Sequence, residues 1–197
     1  MQTGSTTKSR MELHGIIARR LAEVVELRMQ LKQSQWNAND PGCDGLPELF
    51  ERIAEELESC MDMVAGRIVQ MGGVARGDSR AGAARTALAE YSMVMSGALA
   101  RLNTVARSLS AFRRAALVTV GKASLSEDPV TAALFAEIHH GMEKWVRSVE
   151  AHTQASQSHP IKYETHQAGS RPRTTRAGRA PAQNGRHQNQ HSGRVAL

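Results

Sequence analysis

Four carboxylates stand at helical spacing in the second quarter of the chain: Glu51, Glu55, Glu58 and Asp62. Steps of four, three and four keep side chains on one helix face. Such a row offers hard oxygen donors of the kind divalent cations take. Arg52 lies beside the row, and a solvated charged face has the same pattern. Glu137 and His140 form a Glu-x-x-His pair, which sets two metal ligands one turn apart. A carboxylate-bridged two-metal centre in a helical bundle needs two such pairs and two further glutamates. No second pair occurs at a matching place, so His139 and His140 read as surface histidines. Cys43 and Cys60 lack metal-type spacing and read as incidental thiols. Trp36 and Trp145 read as core or interface anchors.

The elements that hold these residues are helical. From about 10 to 36, Leu13, Ile17, Val24 and Leu31 recur on one face. The break is "NANDPGCDG", where Pro41 disfavours helix before it and Gly42 and Gly45 permit a turn. A second helix is predicted over roughly 44–72, with Asp44 as N-cap, Pro47 in the first turn and Gly72-Gly73 as the stop. Its apolar stripe is Leu46, Phe50, Ile53, Leu57, Met61, Val64 and Ile68. A third is predicted over about 94–121, with Leu99, Leu102, Ala106, Leu109, Ala116 and Val120 inward. A fourth, over about 127–153, buries Leu134, Ile138, Gly141, Trp145 and Val149. No window alternates with period two, so the fold class is all-α. Residues 1–9 read as a frayed end. The long connection 73–92 holds a candidate short helix in "AGAARTALAE". Four long helices with one connection this long predict a four-helix bundle over residues 10–155, in which the long link lets the second and third helices run parallel.

Charge divides the chain further. Residues 156–197 hold seven of the 25 Lys/Arg (Lys162, Arg171, Arg173, Arg176, Arg179, Arg186 and Arg194) and one of the 19 acids, Glu164. The whole formal charge of +6 therefore lies there, and the first 155 residues balance. The segment has almost no large aliphatics and cannot bury enough apolar area to offset its ordering entropy. It reads as a disordered basic tail, either a solubilising arm or a non-specific contact for DNA phosphates. The first-helix cations Arg19, Arg20 and Arg28 are the next candidates for DNA. The first fifteen residues lack the apolar run of a secretion signal, and no stretch reaches membrane-span length. The expectation is a cytoplasmic protein with no membrane partner, associated with the nucleoid if the tail holds DNA.

Two stretches carry a family likeness. "LKQSQWNANDPGCDGLPELFERIAEELESCMDMVAGRIVQMGGVARG" resembles the signature of the Dps mini-ferritins, and "DPVTAALFAEIHHGMEKWVRSVEAH" resembles their last helix. The family pattern is Lys-Gln-x-His-Trp-Asn, a glycine-containing loop, a second His before a Leu/Phe-Asp pair, then Asp-x-x-Ala-Glu-Arg and a Gly-Gly stop. The likeness covers roughly residues 15–153. It implies the ferritin-like crossover bundle, a homo-oligomeric hollow dodecamer, oxidation of ferrous iron and DNA binding. It also implies an inner acidic surface, onto which Glu55 and Glu58 would fall.

The same resemblance implies an iron site shared between two subunits, beside the tryptophan that becomes Trp36. Its first His falls on Gln35 and its second on Pro47. Its two Asp fall on Glu51 and Asp62, and its Glu on Gly66. Proline and glycine have no side-chain donor, and glutamine is a weak neutral one. Glu51 and Asp62 remain as a remnant that would hold iron weakly or in altered form. Three readings follow. One is a DNA-binding protection protein with reduced iron chemistry. Another is an iron-storage mini-ferritin that still oxidises and sequesters ferrous iron. The third is a structural subunit that co-assembles with an active relative.

Overall fold

Aliphatic residues at three- and four-residue steps give each long segment one apolar stripe, and the stripes can be buried only against one another. The computed structural model describes residues 3–38, 44–77 and 97–158. Its elements are α1 (Thr3–Trp36), α2 (Leu46–Gln70), α3 (Ala98–Leu125) and α4 (Pro129–Ser158), with no strand among the described residues. The candidate short helix of 81–90, Cys43 and all of the expected tail beyond Ser158 lie outside them. α1 begins at Thr3, so residues 3–9, expected to fray, are helical. α4 runs on to Ser158 rather than ending near 153.

Cross-helix contacts fix the topology. Arg28 meets Glu58 and Lys32 meets Glu51, so α1 and α2 are antiparallel. Ser9 meets Ser126 and Gln30 meets Ser108, so α1 and α3 are antiparallel too. α2 and α3 therefore run parallel, and the link 71–97 joins opposite ends of the bundle. Arg67 meets Asp128 while Arg52 lies over Trp145, which makes α4 antiparallel to α2. This is a ferritin-like crossover bundle.

The core is built mainly from Leu13, Ile17, Val24, Leu27, Leu31, Phe50, Ile53, Leu57, Val64, Ile68, Leu102, Leu109, Phe112, Phe135, Ile138 and Val149, all at most 1 % exposed. Each such side chain stabilises the fold by about 1.5–3 kcal/mol before ordering costs. Leu99 departs from expectation. It lies in the first turn of α3, which begins at Ala98 rather than 94, and it is exposed. On α4 the stripe runs Phe135, Ile138, Met142, Trp145, Val149, which leaves Leu134 and Gly141 half-buried on its flank.

Helix ends are set by local chemistry. α2 is capped by Gly45 at φ 75, without a side-chain cap, and not by Asp44. Its C-terminus closes with Gly73 N–H donating to Ile68 O and Gly72 N–H to Val69 O, a Schellman motif that needs the positive φ of 83 at Gly72. α3 ends in the same way, Asp128 N–H to Ala123 O and Glu127 N–H to Ser124 O, but Glu127 fills the left-handed position at φ 54. Asp128 then caps α4: the backbone N–H of Thr131 donates to Oδ1 at 3.0 Å and its hydroxyl to Oδ2 at 2.7 Å. Arg67 reaches across from α2 to both Asp128 oxygens, at 2.8 and 2.7 Å, and to the Thr131 hydroxyl.

Candidate functional site

The α1–α2 hairpin sets the ends of two helices side by side, and the remnant metal residues fall on this seam. Asn37 closes α1 by donating its side-chain N–H to Gln33 O at 2.7 Å. Trp36, just before it, is 60 % exposed. One helical turn back, Lys32 turns toward α2 and places Nζ 2.8 Å from Glu51 Oε2. Hydrogen bonds from Lys32 and then from the Gln35 amide hold the Glu51 carboxyl below the usual carboxylate range, with Arg28 adding to the effect. The Gln35 Oε1 atom is buried without a hydrogen-bond donor. Pro47 and Gly66 offer no donor atom, and Asp62 is exposed on α2. Eleven residues of helix separate Asp62 from Glu51, about 16 Å along the axis, so one chain does not bring them together. Among the described residues no three His, Cys, Asp or Glu form a group that could hold a metal ion.

The carboxylate row divides between two neighbours. Glu51 and Glu58 are paired to Lys32 and Arg28 on α1, the latter pair at 2.9 Å. Glu55 instead lines a cavity of about 280 Å³ with Arg52, Glu56, Ser59, Lys144 and Trp145. There the Arg52 guanidinium and the Lys144 ammonium lie 5.5 and 5.1 Å from the centroid of the buried Trp145 indole. Glu137 and His140 are exposed, and His139 is held through Nδ1 by the carbonyl of Arg113. Burial, with Glu56 and Glu137 nearby, pushes the Cys60 thiol up to about 12, so it is inert at neutral pH. Of the α1 cations proposed for DNA, Arg20 is buried against Glu23 and Arg28 serves Glu58, which leaves Arg19 exposed.

The ferritin-like domain family model matches residues 16–156. The "DNA protection during starvation protein" of Agrobacterium fabrum is 27 % identical over 140 residues, 71 % of this chain and 86 % of that protein. DpsA14 of Streptomyces coelicolor superposes with a TM-score of 0.69 at 26 % identity, covering 73 % of this chain and 85 % of that one. A Dps protein of Bacillus brevis superposes equally well, at 0.69 and 24 % identity over 73 % and 96 %. The chain belongs to the ferritin-like family, in its Dps branch.

For a Dps-family chain, the residues present do not fit the family's iron site. Two of the five ligand positions have no side-chain donor, and a third carries only the neutral amide of Gln35. The one donor that α1 and α2 place well, Glu51, already holds a cation of its own, Lys32. Sequence reasoning passed over Lys32, although Arg28 and Lys32 stand four apart, the spacing that lets two cations serve carboxylates on one neighbouring helix. It also passed over the Arg67–Asp128–Thr131 cluster, whose Asp-Pro-x-Thr start is a readable N-cap.

Proposed function

We propose that this chain is a Dps-like protection protein that forms a hollow shell and binds DNA without reading sequence, with iron binding reduced. One observation carries the reading: the bundle is built whole, while the donor set beside Trp36 is replaced by Gln35, Pro47 and an ion-paired Glu51. The intact bundle supports assembly of the family kind, and the missing donors support weak ferrous oxidation. The DNA half of the reading is supported by the basic segment beyond Ser158, which holds the whole net charge of the chain, and by the likeness to the DNA protection during starvation protein of Agrobacterium fabrum. In a shell many such arms act together, and weak phosphate contacts add as avidity.

A gel-shift series tests this with full-length protein and a form ending at Ser158, which keeps all four helices. Full-length protein is expected to bind unrelated duplexes alike. Its log K should fall with log salt at a slope of about −5 per arm if all six excess charges meet phosphate. The shortened form should bind poorly even at low salt. Equal binding by the two forms would remove the arm from the interaction and turn attention to Arg19. Sedimentation should show a particle far above the 21.4 kDa of one chain, and a monomer at micromolar concentration would sink the shell.

The exposed carboxylates Glu55 and Asp62 favour one second reading, an iron-storage protein that takes up ferrous iron on its acidic surface. Rapid clearance of ferrous iron under air by the unmodified protein is the result that would select it.

A further inference from the structure

Arg52, Glu55, Glu56 and Ser59 stand at steps of three and four along α2 and share one face. Across from them α4 presents Lys144 and Trp145, and the six residues line the cavity of about 280 Å³ between the two helices. Both cations lie over the indole, and neither forms an ion pair with Glu55, Glu56 or any other described residue. Glu55 and Glu56 are spaced to meet Arg52, but with the base N-terminal to the acid, the weaker order on a helix. Glu56 instead leans on α4 where Gly141 leaves the backbone bare: a Cβ there would stand 3.4 Å from its Oε1. The Trp145 side chain is buried, and its Nε1–H has no acceptor among the described residues, a costly state for a buried donor. One small cavity thus collects a guanidinium and an ammonium without counter-ions and an indole N–H without an acceptor.

We propose that this α2–α4 cavity binds a small free oxyanion of the inorganic phosphate kind, held between Arg52 and Lys144 and bridging the two helices. The donors suit tetrahedral oxygens: the guanidinium fork offers parallel N–H groups, and the ammonium is a compact charge on a flexible stem. Glu55 and Glu56 limit the guest. One compact anion can sit on the cations with water between it and the carboxylates, whereas a nucleic-acid strand would bring further phosphates against them, and like charges repel. The bridge falls where it matters most to the fold, since α2 and α4 touch far less than the partners within either hairpin do. An anion that binds only when both helices are in place stabilises the folded chain by mass action. The site calls on neither iron nor the basic segment beyond Ser158.

Calorimetric titration of the full chain with potassium phosphate at neutral pH, with ionic strength held constant by potassium chloride, tests this. Arg52→Gln and Lys144→Gln should each weaken phosphate binding at least about fivefold, the order expected when a unit charge about 4 Å from the anion is removed in a watery, screened setting. Phosphate should also raise the urea midpoint of the wild type by more than it raises that of either variant. The general stabilisation that phosphate gives by exclusion from protein surfaces is common to all three proteins and cancels. Equal affinity in the three would place the phosphate on the basic segment or elsewhere and overturn the proposal, as would the lack of saturable binding by the wild type. A short DNA duplex supplies a third arm. It is expected to leave the binding that depends on Arg52 and Lys144 unchanged; competition for it would show that the surface takes a polyanion and would overturn the free-anion site. Both side chains are exposed, and circular dichroism checks that the variants fold; should one lose helix, the other decides.

Discussion

Replacing Asp128 by Ala should loosen the molecule where three helices meet. The carboxylate caps α4 through the Thr131 N–H and receives both prongs of Arg67 from α2, and the two side chains of that ion pair are 15 % and 16 % exposed. Loss of an N-cap costs about 1 kcal/mol. Loss of a charge-assisted hydrogen-bonded pair costs about 1.5–3 kcal/mol, and here it also strands a largely buried guanidinium. The expected destabilisation is about 2.5–4 kcal/mol, read as a lower urea midpoint with unchanged slope at fixed protein concentration. The pH dependence supplies a second readout. Burial by itself would raise the Asp128 carboxyl, but the backbone and hydroxyl of Thr131 and then Arg67 outweigh it and hold the group below its ordinary value. A depressed carboxyl contributes stability that is present above its unfolded value of about 3.9 and is lost as pH falls through the folded value. The gap between wild type and Asp128→Ala should therefore be full at pH 6–7 and close as the medium becomes more acid than about pH 4. A difference under about 1 kcal/mol at neutral pH, or one that persists unchanged at pH 3, would refute the latch.

Other outcomes can be stated from the same geometry. Ferrous oxidation by the wild type should barely exceed the buffer rate, and the combined changes Gln35→His, Pro47→His, Glu51→Asp and Gly66→Glu should raise it, as measured by oxygen uptake; a Cβ at Gly66 meets nothing within 4 Å. Glu127→Gly should stabilise the protein by about 0.5–1 kcal/mol in urea unfolding, because glycine takes the left-handed conformation without a Cβ penalty.

The fold was largely legible because core periodicity is redundant. On α2, Leu46, Phe50, Ile53, Leu57, Val64 and Ile68 are buried, as their spacing requires. Helix ends were less legible, because they depend on single residues: Gly45 displaces Asp44 as the cap, and α1 extends to Thr3 without an apolar reason to do so. On α4 a choice between adjacent small and large residues decided the stripe, and Phe135 and Met142 took the places expected for Leu134 and Gly141. The candidate site was legible in what it lacks, since Pro47 and Gly66 cannot donate in any fold. It was not legible in what fills it. Which helix lies against the Glu51–Glu58 row is a tertiary fact, and only the packed hairpin shows that α1 answers those carboxylates with Lys32 and Arg28.

The pairing of helices has a consequence for how the chain finds its shape. The densest packing joins neighbours in sequence, α1 with α2 and α3 with α4, while the seam between the two hairpins is thinner. Folding then resolves into two local closures and one docking. The local closures pay little loop entropy because their turns are short, and the docking must choose a register between two nearly uniform helical surfaces. Polar contacts across the seam mark that choice: Gln30 with Ser108, Ser9 with Ser126, and Arg67 with Asp128. The 2.8 Å Gln30–Ser108 bond is buried, and sliding one hairpin past the other by a turn would break it together with the other two. These few polar pairs work as index marks, adding less to the affinity of the two halves than to the uniqueness of their alignment.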